Sequence, residues 1–112
     1  MTFRDKLKVT QEEVINLQAG KELDSLVARE VLRIESEETK HYSIEISDAW
    51  KVVEKLSDYS WFYLGRGNGN WYATVRDTRI KRGQTTAPPC PTAPEAICKA
   101  ALLALVETRG RR

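Results

Sequence analysis

Hydrophobic positions in the first half of the chain recur every three or four residues, the spacing of one buried face of an α-helix. In residues 21–32 and just beyond, this stripe comprises Leu23, Leu26, Val27, Val31 and Ile34. A capping-box pattern, Thr10-Gln11-Glu12-Glu13, predicts a short helical turn before it. A further helix is predicted after Ser47 as N-cap, ending near Asp58, with apolar positions at Ala49, Trp50, Val53 and Leu56. We expect Trp50 to be a core residue.

After residue 59 the spacing of the hydrophobic positions changes to every second residue, as in β-strands. Residues 60–64 and 71–76 flank a turn at 65–70, so we predict a β-hairpin. Trp71, expected in the core, shares one face with Ala73 and Val75, and Tyr72, Thr74 and Arg76 share the other. On the first strand either Trp61 and Tyr63 or Phe62 and Leu64 face outward, unless helices cover both sides of the sheet. Residues 77–86 fit a continuation, a third strand or a basic loop.

The last helix is predicted from a second capping-box pattern, Thr92-Ala93-Pro94-Glu95. From Ala96 to Val106 it is apolar around most of its circumference, so it needs cover on more than one side. Either the sheet and another helix supply that cover, or a second copy of the chain does, and we expect a homo-oligomer formed through this helix. Residues 1–112 are interpreted as one domain, with a core of about 10–107, a basic, Pro-rich connector at 77–91 and a basic tail at 109–112.

Composition excludes several classes of protein. No apolar run is long enough to span a membrane, and the first residues lack the apolar segment of a signal peptide, so we expect a cytoplasmic protein. One His and two Cys are too few for an ordinary zinc site or a disulfide framework. His41 is expected in a loop and Cys98 in the core, while Cys90 lies between prolines and can be exposed. We predict no catalytic residue, no metal and no cofactor.

Charge is unevenly distributed along the chain. The formal net charge is +2, but residues 21–58 carry 6 basic and 10 acidic side chains, and residues 59–112 carry 9 basic and 3 acidic ones. This division suggests an anionic partner for the second half, or a contact between the acidic part of one copy and the basic part of another.

Three blocks of sequence resemble the phage ABA sandwich domain, a family of small bacteriophage and prophage proteins. They are residues 19–28 (AGKELDSLVA), residues 42–44 (YSI) running into 49–56 (AWKVVEKL), and residues 93–103 (APEAICKAALL). The resemblance spans roughly residues 10–106. It implies an α+β fold, with a small antiparallel sheet (the hairpin with or without a third strand) sandwiched between helices. It implies no activity and no site residues, and this chain departs from the family in the basic stretch 76–91.

A binding site is the candidate function. Arginine forks pair with phosphates, and aromatic rings stack on bases. The candidate binding residues are Arg66, Tyr72, Arg76, Arg79, Lys81 and Arg82. The glycine-rich turn at 65–70 also resembles a phosphate cradle, but it joins two strands rather than a strand and a helix, which favours a plain hairpin turn.

The leading hypothesis is a phage accessory protein that binds and sequesters a nucleotide-type host immune signal in the cytoplasm of the infected bacterium. One alternative is an inhibitor or regulator that binds a host defence or replication protein, which would need an exposed apolar or aromatic patch. A nucleic-acid-binding accessory protein is a further alternative, and the acidic first half of the chain speaks against it.

Overall fold

The computed structural model describes residues 10–34, 40–58, 60–77 and 83–110. Four α-helices and three strands follow in the order α1 (Gln11–Asn16), α2 (Lys21–Leu26, continued by a π-helical turn at Val27–Val31), α3 (Ile46–Leu56), β1 (Ser60–Gly67), β2 (Asn70–Asp77), β3 (Gly83–Thr86) and α4 (Ala93–Gly110). The strands form one antiparallel sheet in the order β1-β2-β3. The predicted α+β class is thereby confirmed, and within the stretch 77–86, for which the sequence left three alternatives open, Gly83–Thr86 form a third strand.

The capping box at Thr10 forms as predicted. The Glu13 amide donates to Thr10 Oγ1 at 3.1 Å, and the Thr10 amide donates to Glu13 Oε1 at 2.8 Å. In the next helix the predicted stripe is buried at Leu23, Leu26, Val27 and Val31. Ile34 is exposed, contrary to the prediction, because the chain leaves the helix at Arg33, whose φ of 58° is left-handed.

The predicted boundaries and buried face of α3 need correction. The helix begins at Ile46, so Ser47 lies inside its first turn and is not the N-cap. The residues of α3 that face the core are Ala49, Val52 and Leu56. Trp50 follows Ala49 by one position, which turns it about 100° around the helix axis, and it is 51% exposed rather than buried.

A two-residue turn joins β1 to β2. Asn68 and Gly69 both have positive φ, 53° and 81°, which suits the right-handed twist of a hairpin. The turn is shorter than predicted, because Gly67 pairs with Asn70 and the strands continue up to them. The described end of the stretch predicted as a connector, residues 83–90, also runs along the sheet. The Ala87 amide donates to the Ala73 carbonyl at 2.9 Å, and Cys90 exchanges two backbone hydrogen bonds with Trp71.

Helix α4 is the central element of the core. It packs against β2 and β3 and also against α1, α2 with its π-helical turn, and α3. Residues 96–103 are all buried, so the helix is covered around its whole circumference in this segment. The chain's own sheet and helices therefore account for the apolar character that suggested self-association through α4. No helix in the described part of the chain is long and apolar enough to cross a membrane.

A buried ion pair fixes α1 against α4. Lys99 Nζ lies 3.0 Å from Glu95 Oε2, one turn earlier on α4, and donates to the Ile15 carbonyl oxygen at 3.0 Å. Both side chains are about nine-tenths buried. The partners matter because an unpaired charge at such a position would be strongly destabilising.

Candidate functional site

Cross-strand register defines one face of the sheet, called here the outer face. Trp61 lies directly opposite Arg76, and Tyr63 lies opposite Thr74. Directly opposed residues of antiparallel strands point to the same side. The same rule adds Tyr72, which pairs with Gly65, and the β3 residues Gln84 and Thr86. The outer face therefore consists of Trp61, Tyr63, Tyr72, Thr74, Arg76, Gln84 and Thr86.

The outer face is open to solvent in the part of the chain that the structure describes. Trp61 is 62% exposed and Tyr63 is 50% exposed, Tyr72 is half-buried, and Arg76 is exposed. The opposite face of the sheet packs on the core, where Ala73 and Val75 are buried. Three aromatic side chains thus share a surface that the described residues leave uncovered, which is typical of interaction sites.

Small residues leave the aromatic rings of the outer face accessible. Gly65 stands opposite Tyr72, and an added Cβ there would meet no atom within 4 Å. At the middle of the face, Thr74 Oγ1 and Thr86 Oγ1 share a hydrogen bond of 2.9 Å, which links β2 to β3. The larger side chains of the outer face are three aromatic rings, one guanidinium and the Gln84 amide.

Of the three predicted binding residues that the structure describes, Tyr72 and Arg76 come together on this face. Arg66 pairs with Trp71 on the opposite face, and its guanidinium carbon lies 5.7 Å from the centroid of the Trp71 ring, a cation–π contact. Arg66 is therefore separated from Tyr72 and Arg76 by the sheet. The other three, Arg79, Lys81 and Arg82, lie outside the described residues.

The site residues missing from the sequence prediction are Trp61 and Tyr63. The sequence left two pairs of β1 residues as candidates for the outward side, and the hairpin register decides between them. Asn-Gly is the strongest short-range signal for a two-residue hairpin turn. Centring the hairpin on Asn68 and Gly69 pairs Trp61 with Arg76, so the signal was present in the sequence.

A second polar cluster is buried and serves the fold. Asp24 Oδ1 accepts hydrogen bonds from the Ser43 amide at 2.7 Å and from Ser43 Oγ at 2.6 Å. The Gly20 amide donates to Ser43 Oγ at 2.8 Å. These bonds fasten the start of α2 to the turn before α3. Ser43 is fully buried and its hydroxyl donates to the Asp24 carboxylate, so no substrate could reach it, and we interpret the cluster as structural.

Titratable groups near this cluster are shifted towards their neutral forms. Burial raises the pKa of the Tyr42 hydroxyl, and the carboxylates of Asp48 and Asp24 raise it further. Burial likewise raises the pKa of both thiols, with Glu95 adding to the effect at Cys90 and Asp24 at Cys98. Cys98 is buried as predicted, and Cys90, which the sequence allowed to be exposed, is buried too.

Other surfaces offer less to a ligand. His41 is exposed, and its backbone amide donates to Asp48 Oδ2 at 3.0 Å. Within the described ranges no group of three or more His, Cys, Asp or Glu residues is arranged to hold a metal ion. A groove of about 510 Å³ lies between α1 and α2, lined by Glu13, Leu17, Lys21, Glu22, Ser25, Leu26 and Arg29. Its rim carries charges of both signs.

Comparison with known proteins agrees with the fold. A solved structure of a phage protein from Bacillus cereus ATCC 14579 is similar, with a TM-score of 0.63 and 25% sequence identity, over 80% of this chain and 94% of that one. No curated protein matches the sequence. The phage ABA sandwich domain matches residues 25–102, which is more than half of the chain. The chain therefore belongs to the phage ABA sandwich domain family.

Proposed function

We propose that this protein is a non-catalytic phage accessory protein that binds a nucleotide-type host immune signal on the outer face and sequesters it. The observation that carries the proposal is the gathering of Trp61, Tyr63, Tyr72 and Arg76 on one exposed side of the sheet. To sequester a signal, a protein must bind it tightly and be present in sufficient amount, but it needs no catalytic group. A small chain produced during infection can meet these requirements.

The chemistry of the outer face matches the two parts of a nucleotide. An aromatic ring stacks on a base of any sequence, which contributes about 1–3 kcal/mol per base. Arginine offers a planar fork of donors that fits phosphate oxygens. Trp61 and Arg76 are direct cross-strand neighbours, with Cβ atoms about 5 Å apart. A base on the indole would therefore have its phosphate within reach of the guanidinium.

The link to host defence rests on the family. A protein made by a phage acts inside an infected bacterium, where cyclic nucleotides and related molecules are chemically suitable signals for capture. The basic character of residues 59–112 favours an anionic ligand over a neutral one.

A second candidate function is inhibition or regulation of a host defence or replication protein by surface contact. The exposure of Trp61 and Tyr63 favours it, because small molecules are usually bound in concave sites that bury most of their surface. Tryptophan, tyrosine and arginine are also the residue types that dominate the energetics of protein interfaces. For this candidate, binding would not depend on nucleotides.

A thermal-shift screen separates the two candidates. The panel holds cyclic di- and trinucleotides, ADP-ribose derivatives, mononucleotides, and short single- and double-stranded oligonucleotides. A ligand at about 100 times its dissociation constant stabilises the fold by about 2.7 kcal/mol, which is several degrees in Tm. We expect a shift with a signalling nucleotide and none with oligonucleotides. A flat panel contradicts capture of the signals tested and directs attention to host proteins, while a shift with oligonucleotides alone indicates nucleic-acid binding.

A further inference from the structure

An apolar ridge on α3 is left uncovered by the rest of the described chain. Ile46 and Trp50 are one helical turn apart and therefore adjacent on the helix surface, and Ile44 lies in the turn just before the helix. Each of the three is more than half exposed. We call Ile44, Ile46 and Trp50 the α3 ridge.

The surroundings of the α3 ridge are acidic. Glu45 and Glu54 flank it and are exposed, and residues 44–58 contain four acidic and two basic side chains. The outer face, by contrast, combines exposed aromatic rings with Arg76. One chain thus carries an apolar ridge with an acidic border and an aromatic platform with a basic group, and these two surfaces complement each other in charge.

We infer that the outer face of one copy receives the α3 ridge of a second copy. Trp50 and Ile46 would pack on Trp61 and Tyr63, with the Glu54 carboxylate near Arg76. The dimensions allow it, because an 11-residue helix is about 16 Å long and an eight-residue strand about 26 Å. A helix laid on an open sheet face is also the usual way in which such a face is buried.

The contact is heterologous: the ridge and the outer face of one copy engage two different neighbours rather than the same partner. A chain of such contacts has a free ridge at one end and a free sheet face at the other, so assembly continues beyond a dimer unless it closes into a ring.

The inference goes beyond the proposed function but uses the same face. A bound nucleotide would therefore compete with the second copy, and the test is carried out without nucleotide so that each proposal can fail alone.

The first measurement is the mass of the wild-type protein by sedimentation velocity, from micromolar to millimolar concentration. We expect the mass to rise with concentration from 12.8 kDa to beyond twice that value.

The variants Trp61→Glu and Trp50→Arg remove one surface each, and Ile15→Glu, at an exposed apolar position on α1, is the matched control. We expect each tryptophan variant to remain a monomer and the control to associate like the wild type. Circular dichroism and thermal melting establish that the variants are folded.

Mixing the two tryptophan variants is the decisive step. The Trp61→Glu chain retains its ridge and the Trp50→Arg chain retains its outer face, so an equimolar mixture should form a dimer and nothing larger. A monomeric wild type at all concentrations would overturn the inference. So would association that survives in either tryptophan variant, a mixture that stays monomeric although it contains one intact ridge and one intact outer face, or a wild type that stops at the dimer, which is the result expected of a reciprocal two-fold contact.

Discussion

At the scale of single residues, the link between Ser43 and Asp24 holds two parts of the chain together. Replacing Ser43 by Ala removes the hydroxyl that donates to Asp24 Oδ1 and accepts from the Gly20 amide. Because these groups are buried or partly buried, we expect Ser43→Ala to lower the free energy of unfolding by about 1–3 kcal/mol in urea titrations.

Ser47→Ala is the matched control for that change. Ser47 is exposed and lies inside the first turn of α3 without capping it, so its replacement should change stability by less than about 0.5 kcal/mol. An equal loss in both variants would mean that Ser47 caps α3 after all and that the Ser43 network has no special weight.

The two thiols should be chemically silent in the folded protein. Burial raises the pKa of Cys90 and of Cys98, so both stay protonated at pH 8, where an exposed thiol is partly ionised. Since the thiolate is the nucleophile, we expect alkylation by iodoacetamide at pH 8 to proceed only as fast as the protein opens, and rapidly in denaturant. Rapid labelling of either cysteine in the native protein would contradict its burial.

At the scale of elements, the conformation of the Asn68-Gly69 turn sets the register that creates the outer face. Gly69 has a φ of 81°, which an alanine adopts at a cost of about 1–2 kcal/mol. We expect Gly69→Ala to reduce stability by that amount in thermal or urea unfolding. Gly65→Ala is the control: both positions have open space for a Cβ, but Gly65 has an ordinary φ, so little change is expected. Equal effects would show that φ is not the cause.

The elements differ in how well their sequences predict them. The hairpin, α4 and the capped turn at Thr10 follow from local signals, because strand alternation and capping residues act over a few positions. The buried side of α3 followed in part: Ala49 and Leu56 are buried as predicted, and Trp50 is not. Hydrophobicity placed Ala49 and Trp50 together, and only the packing partners decide which of two neighbouring apolar side chains faces inward.

For the candidate site, too, the sequence predicted only what a local pattern determines. Tyr72 and Arg76 were placed on one face from the alternation within a single strand. Joining them to Trp61 and Tyr63 requires the pairing between two strands, where a shift of one residue exchanges the faces. Arg66 was misplaced for this reason, since it lies opposite Trp71 and not beside Tyr72.

At the scale of the whole molecule, the described residues cover one side of the sheet and leave the other exposed. Helix α4 lies within the core, surrounded by strands and helices, while the largest exposed aromatic groups are on the outer face and on α3. The residues that stabilise the fold and the residues proposed to bind a ligand therefore lie in different parts of the molecule. Changes on the outer face should alter recognition and leave the free energy of unfolding nearly unchanged.

The most direct test of the account is the nucleotide thermal-shift panel applied in parallel to the wild type, the double variant Trp61→Ala/Arg76→Ala, and Trp50→Ala. Trp50 is a matched control because it is a similarly exposed tryptophan on α3 rather than on the sheet. At protein concentrations low enough to keep the wild type monomeric, so that no second copy competes for the outer face, we predict that one signalling nucleotide raises the Tm of the wild type and of Trp50→Ala by the same amount and leaves the Tm of the double variant unchanged. A panel with no shift, or a shift that persists in the double variant, would contradict the assignment of the outer face as a nucleotide-binding surface.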